Sequence, residues 1–390
     1  MNRILLTLVF LFFSAFPVLA GDFPEWLRRP LAYVPPDSVM VWDYEGRDLR
    51  TLALRANPGA QAVTFRAPDG GRRQRQSLYA EWERLAPMLN VAGGMGDEMR
   101  EPQALSAAQA TDMAARLFLL TGEARFAALC ERSLFNAVWR TMTDTAQAHT
   151  LEGAAAATYG VSLPGLIYAT SERAELYINL YLNNTARITA GGISFTLDQI
   201  TSMPSSGQVK FRFTGLSAPT RLRVRLRMPD WAVGNVPREQ PFSYAKTDNA
   251  PPAVYINGHE LDELHTDEAG YVTIDREWRS MDELYLSFDL APRLLRRAAP
   301  GEGTPRRGEV ALQCGPWVYA LTASAKGCYF SANAPLPPPE LVNRHGHPVR
   351  QVTLYRADGT PQDAAAPEVP FYAEPYADGA AGTLWMTEPR

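Results

Sequence analysis

Arg221-Leu222-Arg223-Val224-Arg225-Leu226-Arg227-Met228 is the stretch that decides the fold. Cationic and apolar residues alternate along it, so one face of an extended strand is buried and the other faces water. A solvated sheet face is the plain reading of the arginine row, and contact with an acidic glycan is the alternative. Weaker runs of the same period occupy 176–182, 209–213, 254–256, 271–274 and 284–290, with turn signals such as Asn257-Gly258 between them. Many short strands at this spacing predict antiparallel sandwiches.

Upstream of Pro164 the period is that of a helix. Ala110, Met113, Ala114 and Leu117 fall on one helical face, and Thr121-Gly122 supplies a stop. Phe126, Leu129, Cys130, Leu134, Ala137 and Val138 repeat the spacing, which predicts a second helix packed antiparallel on the first. A further helix runs through 154–157 and ends before Ser162-Leu163-Pro164-Gly165. Residues 21–72 are broken by Pro24, Pro30, Pro35, Pro36, Pro58 and Pro68 and predict loop with a few strands.

The first twenty residues have the pattern of an export signal: Arg3, an apolar run over 4–16, and Val18-Leu19-Ala20 before Gly21. Periplasmic or secreted placement follows, with no membrane attachment once the signal is cut. The net charge of −4 argues against a nucleic-acid partner. Cys130, Cys314 and Cys328 do not have metal-ligand spacing, and a pairing of Cys314 with Cys328 stays open.

From Glu81 onward the chain resembles glycoside hydrolase family 127 (GH127), the β-L-arabinofuranosidase family, in a series of blocks. Val91-Ala92-Gly93-Gly94-Met95-Gly96 is similar to the family's TGGIG turn. Leu120-Thr121-Gly122-Glu123-Ala124-Arg125-Phe126 and Glu131-Arg132-Ser133-Leu134-Phe135-Asn136 resemble its LTGDARY…ERALYN helical pair. Ser162-Leu163-Pro164-Gly165 and Leu176-Tyr177-Ile178-Asn179-Leu180-Tyr181 match the passage into the first sandwich. Leu226-Arg227-Met228-Pro229-Asp230-Trp231, Gly270-Tyr271-Val272-Thr273, Arg307-Gly308-Glu309 and Cys314-Gly315-Pro316-Trp317 resemble later blocks in the same order.

The resemblance implies an α+β multidomain chain: a partial (α/α) helical barrel segment followed by two antiparallel β-sandwich domains. The expected division is a signal peptide over 1–20, an irregular segment over 21–72, and helices resembling the end of an (α/α)6 barrel over 73–172. A middle sandwich over 173–300 and a C-terminal β domain over 301–390 complete it. A full barrel of twelve helices takes about 300 residues. The chain has only about 150 before its first clear strand. A half-barrel leaves an apolar helical face, so either a homodimer or residues 21–72 should cover it.

The resemblance also implies a zinc-bound cysteine thiolate as nucleophile and a glutamate as acid/base. Counting from the matched blocks, Gln103 and Leu105 stand at the E-x-C positions, and Leu151 and Glu152 stand at the Cys-Cys pair. No sulfur remains, so the family's zinc is expected to be lost and no cofactor replaces it. Cys130 falls at an apolar helix position and reads as an inert core thiol.

The two candidate catalytic residues are Glu98, where the family carries its acid/base, and Glu152, beside the nucleophile position. Each has a plainer reading, as a glutamate on a solvated loop or at a helix start. Three functions follow: a degenerate relative that binds carbohydrate, a retaining glycosidase with a carboxylate pair about 5 Å apart, or a partner-binding β module. Trp231, Trp278 and Trp317 are candidate sugar contacts, against core packing as the plainer role.

Overall fold

The computed structural model describes residues 31–34, 38–40, 65, 72–95, 104–143, 150–236, 240–245, 249–298, 305–321, 340–341, 348–353, 355–356, 358, 360–361, 366–370 and 384–387. It is a mixed fold in which a layer of helices precedes and packs against several largely antiparallel sheets.

The helical layer contains α1 (Arg72–Leu85), α2 (Ala104–Thr121), α3 (Ala124–Ser133), α4 (Trp139–Thr143) and α5 (Leu151–Ser162). Alanine and leucine, both strong helix formers, dominate α2. It ends at Gly122, whose φ of +68° lets the chain reverse into α3. The predicted antiparallel pair is present: Thr111 Oγ1 of α2 donates to Ser133 Oγ of α3 at 2.8 Å. A π turn, Leu134–Val138, joins α3 to α4 without a break. Thr150 caps α5 by accepting from the Gly153 amide at 3.0 Å. Gly160 lets α5 sit tight, since a Cβ there would lie 2.4 Å from Met142 Sδ. From the Pro-rich segment, Phe65 is buried and stacks on Tyr159 of α5 at 6.2 Å between centroids.

Strands β1 (Ala32–Val34), β3 (Tyr168–Ser171), β4 (Glu175–Ile178), β8 (Thr220–Arg227) and β12 (Tyr271–Trp278) form one sheet in the order β1-β3-β4-β8-β12. A second sheet opposes it, ordered β11-β10-β13-β7-β6-β5-β2. Its members are β2 (Ser38–Met40), β5 (Asn183–Ala190), β6 (Ile193–Thr201), β7 (Gln208–Thr214), β10 (Ala253–Ile256), β11 (His259–Glu260) and β13 (Glu283–Ser287). Phe213 of β7 stacks on Trp278 of β12 with centroids 4.3 Å apart, which marks the dry interior between these sheets. A third sheet is built mainly from later strands, around β14 (Arg293–Ala298), β15 (Pro305–Cys314) and β16 (Trp317–Leu321). It also takes in β9 (Phe242–Tyr244), which pairs with β14.

The alternation over 221–228 holds in β8, but the solvated-face reading needs one correction. Arg221, Arg223 and Arg225 lie on the wetter face and pair with Asp275, Glu175 and Asp267. Arg227 points the same way yet is fully buried, because the helical layer covers that end of the strand. The expected strand over 176–182 is also shorter, ending at Ile178. Asn179 leaves the ladder to bond back toward the helices, its amide N to Ile167 O at 2.8 Å and Nδ2 to Leu166 O at 3.0 Å.

Candidate functional site

Glu98 and Gln103 lie outside the described residues. Leu105 and Glu152 are placed by backbone alone, each as the second residue of its helix. Leu151 opens α5 with 89% of its surface exposed. Among the described residues, no three His, Cys, Asp or Glu side chains are grouped to hold a metal ion. No helix among them is long and apolar enough to cross a membrane.

Most of the sequence blocks that carry the resemblance meet at one buried junction between α3 and the sheets. Arg227, at the end of β8, donates from Nη2 to Glu131 Oε1 at 2.5 Å and from Nε to Asn179 O at 2.5 Å. Glu131 Oε2 accepts from Trp231 Nε1 at 3.0 Å. Tyr271 donates to Asn179 Oδ1 at 2.6 Å, and Tyr181 to Arg227 O at 2.5 Å. One residue on, Arg132 pairs with Asp230 and also donates to Val91 O at 3.2 Å. Its guanidinium lies 4.9 Å from the Phe242 ring centroid. The π turn aims Asn136 at the third sheet, where Nδ2 donates to Pro316 O at 2.9 Å and Oδ1 accepts from the Val318 amide at 2.8 Å.

The glycine turn closes the same junction. Asn90 Oδ1 accepts from the amides of Ala92 and Gly94, each at 3.0 Å. Gly93, at φ +83°, presses against α3 so closely that a Cβ would sit 2.5 Å from Ser133 N.

Electrostatics fit a structural role for this network. Burial pushes the Glu131 carboxyl up, against the pull of Arg227 beside it. Burial alone would lower Arg132, but Asp230 and Tyr244 outweigh it and hold the guanidinium charged. Each charge faces an opposite charge in a dry interior, so partner loss is costly and chemistry on a substrate is not served. The sequence shows these blocks as separate strings of resemblance and does not show their shared contact. Charged residues inside the apolar repeat of α3 were the available signal.

Trp231, Trp278 and Trp317 are all buried, so the core-packing alternative is the one the structure supports. Trp278 Nε1 donates to Leu222 O at 3.0 Å inside the sandwich. Cys130 is fully buried, and burial pushes its thiol far above its ordinary value, which suits an inert core residue. Cys314 is also buried, whereas Cys328, its suggested partner, lies outside the described residues. In the folded protein, the peptide containing Cys130 should resist a thiol-directed alkylating reagent and label fully in denaturant. Labelling at the native rate of a free thiol, read by mass spectrometry, would refute its burial.

Beside the junction a cleft of about 240 Å³ opens between the start of α3 and the sheet, lined by Glu123, Arg125, Asp230, Asn235 and Glu268 among others. Its wall is fixed by the Ala124 amide bonding to Ala269 O at 2.7 Å. Glu123 is already occupied, accepting from Tyr79 at 2.5 Å and from Arg125 Nε at 2.6 Å. The cleft presents polar groups to a hydroxylated ligand.

Residues 175–290 match the family described as "Beta-L-arabinofuranosidase, GH127 middle domain". The chain shares its fold with the GH127 β-arabinofuranosidase BT3674, at 22% identity and a TM-score of 0.65, covering 78% of this chain and 54% of that one. It is similarly like Ara127N-Se, a GH127 β-L-arabinofuranosidase from Geobacillus stearothermophilus T6. There the identity is 18%, the TM-score 0.65, and the coverage 87% of this chain and 59% of that one. A third structure, described as a glycoside hydrolase, has a TM-score of 0.58 at 18% identity, covering 76% of this chain and 54% of that one. The chain thus spans little more than half the length of these proteins. No curated protein matches it by sequence.

Proposed function

From a chain that carries the middle domain of glycoside hydrolase family 127, we infer an exported protein that binds glycans of the β-L-arabinofuranoside type without the family's zinc–thiolate hydrolysis. Leu151 carries this reading. At a position where the resemblance calls for a cysteine ligand, the chain has a hydrocarbon side chain, 89% exposed at the start of a capped helix. The full set at the ligand positions is Gln103, Leu105, Leu151 and Glu152. One carboxylate and one amide do not make the three or four N, O or S donors that zinc needs, so zinc does not fit these residues.

The five-part division, from the signal over 1–20 to the β domain over 301–390, belongs to the same reading. The helices over 73–172 are taken as the end of an (α/α)6 barrel. Cover of their apolar face by residues 21–72 is preferred to a dimer, with Phe65 against Tyr159 in its favour.

Elemental analysis of the purified protein, paired with an assay on an aryl β-L-arabinofuranoside, tests the proposal. The expected result is substoichiometric zinc and no release of the aryl group above the blank. Stoichiometric zinc, or release that Glu98→Gln abolishes, would restore the hydrolase reading.

A further inference from the structure

We propose a second glycan contact, a platform on the outer face of the seven-stranded sheet centred on Tyr255 and Tyr285. The proposal rests on the glycan-binding reading above and names where the chain of sugars lies.

Tyr255 of β10 stands directly opposite Tyr285 of β13, with ring centroids 5.8 Å apart and planes at 59°. The strand register continues the row on both sides. Glu260 is opposite Tyr255, Lys210 opposite Tyr285, and Ile200 opposite Lys210. Five neighbouring strands thus contribute one residue each to a stripe about 19 Å long, from four strand spacings of about 4.8 Å. The rings are partly exposed, the Tyr255 hydroxyl bonds to Glu260 at the surface, and Ile200 is 49% exposed. The core does not need these side chains: Val254, Leu284, Leu286, Val209, Phe211 and Leu197 fill the opposite face of the same strands.

Charge selects the occupant. Lys210 and Arg212 both pair with Glu283, at 2.7 and 3.2 Å, and Arg212 stands opposite Asp198 in the ladder. With Glu260 of the row, three carboxylates face the two cations, so no excess positive charge remains, and the flanking Gln208 and Ser287 are neutral. A nucleic acid or an acidic polysaccharide therefore gains nothing from this surface. An uncharged polysaccharide suits it, since apolar ring faces meet the C–H surface of the sugars and the polar flanks meet their hydroxyls.

Affinity electrophoresis of the full chain through gels containing soluble neutral arabinan, or polygalacturonate as the acidic comparison, tests the platform. Arabinan should retard the wild type and polygalacturonate should not. Tyr255→Ser with Tyr285→Ser should raise the dissociation constant for arabinan about tenfold, whereas Tyr255→Phe with Tyr285→Phe, which keeps the rings, should bind nearly as the wild type. Should the serine variant fail to fold, Ile200→Asp places a charge in the stripe at an exposed site and should weaken retardation at least threefold. Wild-type retardation that survives these changes in folded protein overturns the platform and leaves the glycan-binding reading standing. Retardation by polygalacturonate alone overturns the choice of a neutral ligand, and an unretarded wild type overturns both readings.

Discussion

Glu131→Ala is expected to destabilise the protein by about 3–5 kcal/mol, because it leaves the Arg227 guanidinium buried without its counter-charge. It also strips the acceptor from Trp231 Nε1. A loss of that size is a large part of the stability of about 5–15 kcal/mol typical of a folded domain. Glu131→Gln keeps an acceptor oxygen for one of the two donors and should lose less. Joint replacement, Glu131→Leu with Arg227→Met, removes both charges and should recover most of the loss, since an apolar pair avoids the desolvation that the ion pair must overcome. Urea denaturation followed by tryptophan fluorescence reads these effects as midpoint shifts at constant slope. If the single alanine variant and the double variant unfold at the same midpoint, the Glu131–Arg227 pair is not a coupled buried unit.

The second large effect concerns Gly93. A pair of glycines separates backbone strain from collision, because Gly93 and Gly192 share a φ of +83°. A Cβ on Gly192 meets nothing within 4 Å, while on Gly93 it would lie 2.5 Å from Ser133 N and 2.6 Å from Ser133 Cα. Gly192→Ala should therefore cost only the left-handed backbone penalty, about 1–2 kcal/mol. Gly93→Ala should add about 1–3 kcal/mol for forcing α3 away from the turn. Both atoms in the way are backbone, so no side-chain rotation relieves the contact. Equal melting temperatures for the two variants would show that the turn does not press on α3.

The parts of this fold that were legible in the sequence are those written as period. The spacing of Ala110, Met113, Ala114 and Leu117 sets a helical face that holds whatever packs on it, and β8 alternates as its residues require. The fate of Arg227 was not legible, because alternation says which face a side chain takes and nothing about what covers that face. Its three neighbours in the row meet carboxylates of the sheet's wetter face, whereas it meets a helix whose sequence lies 96 residues earlier. The stripe of Tyr255 and Tyr285 was hidden for a similar reason. Each tyrosine alone is an ordinary strand residue, and only the register of β10 on β13 places the two rings together. The resemblance blocks were recognisable as strings, but their meaning as one contact network required the fold. For the candidate carboxylates, resemblance supplied positions without contacts: Glu98 lies outside the described residues and Glu152 is placed only as a helix-start residue.

The ion pair that joins α3 to β8 also sets an order of events during synthesis. Glu131 leaves the ribosome 96 residues before Arg227, a wait of roughly 5–20 s at ordinary elongation rates. Through that interval the Glu131 carboxylate has no guanidinium to bury it, so the side of α3 that will face the sheets stays in water. Docking of α3 on the sheets is thus deferred until the arginine strand emerges, and the nascent helices meet chaperones and proteases before the sheets can cover them.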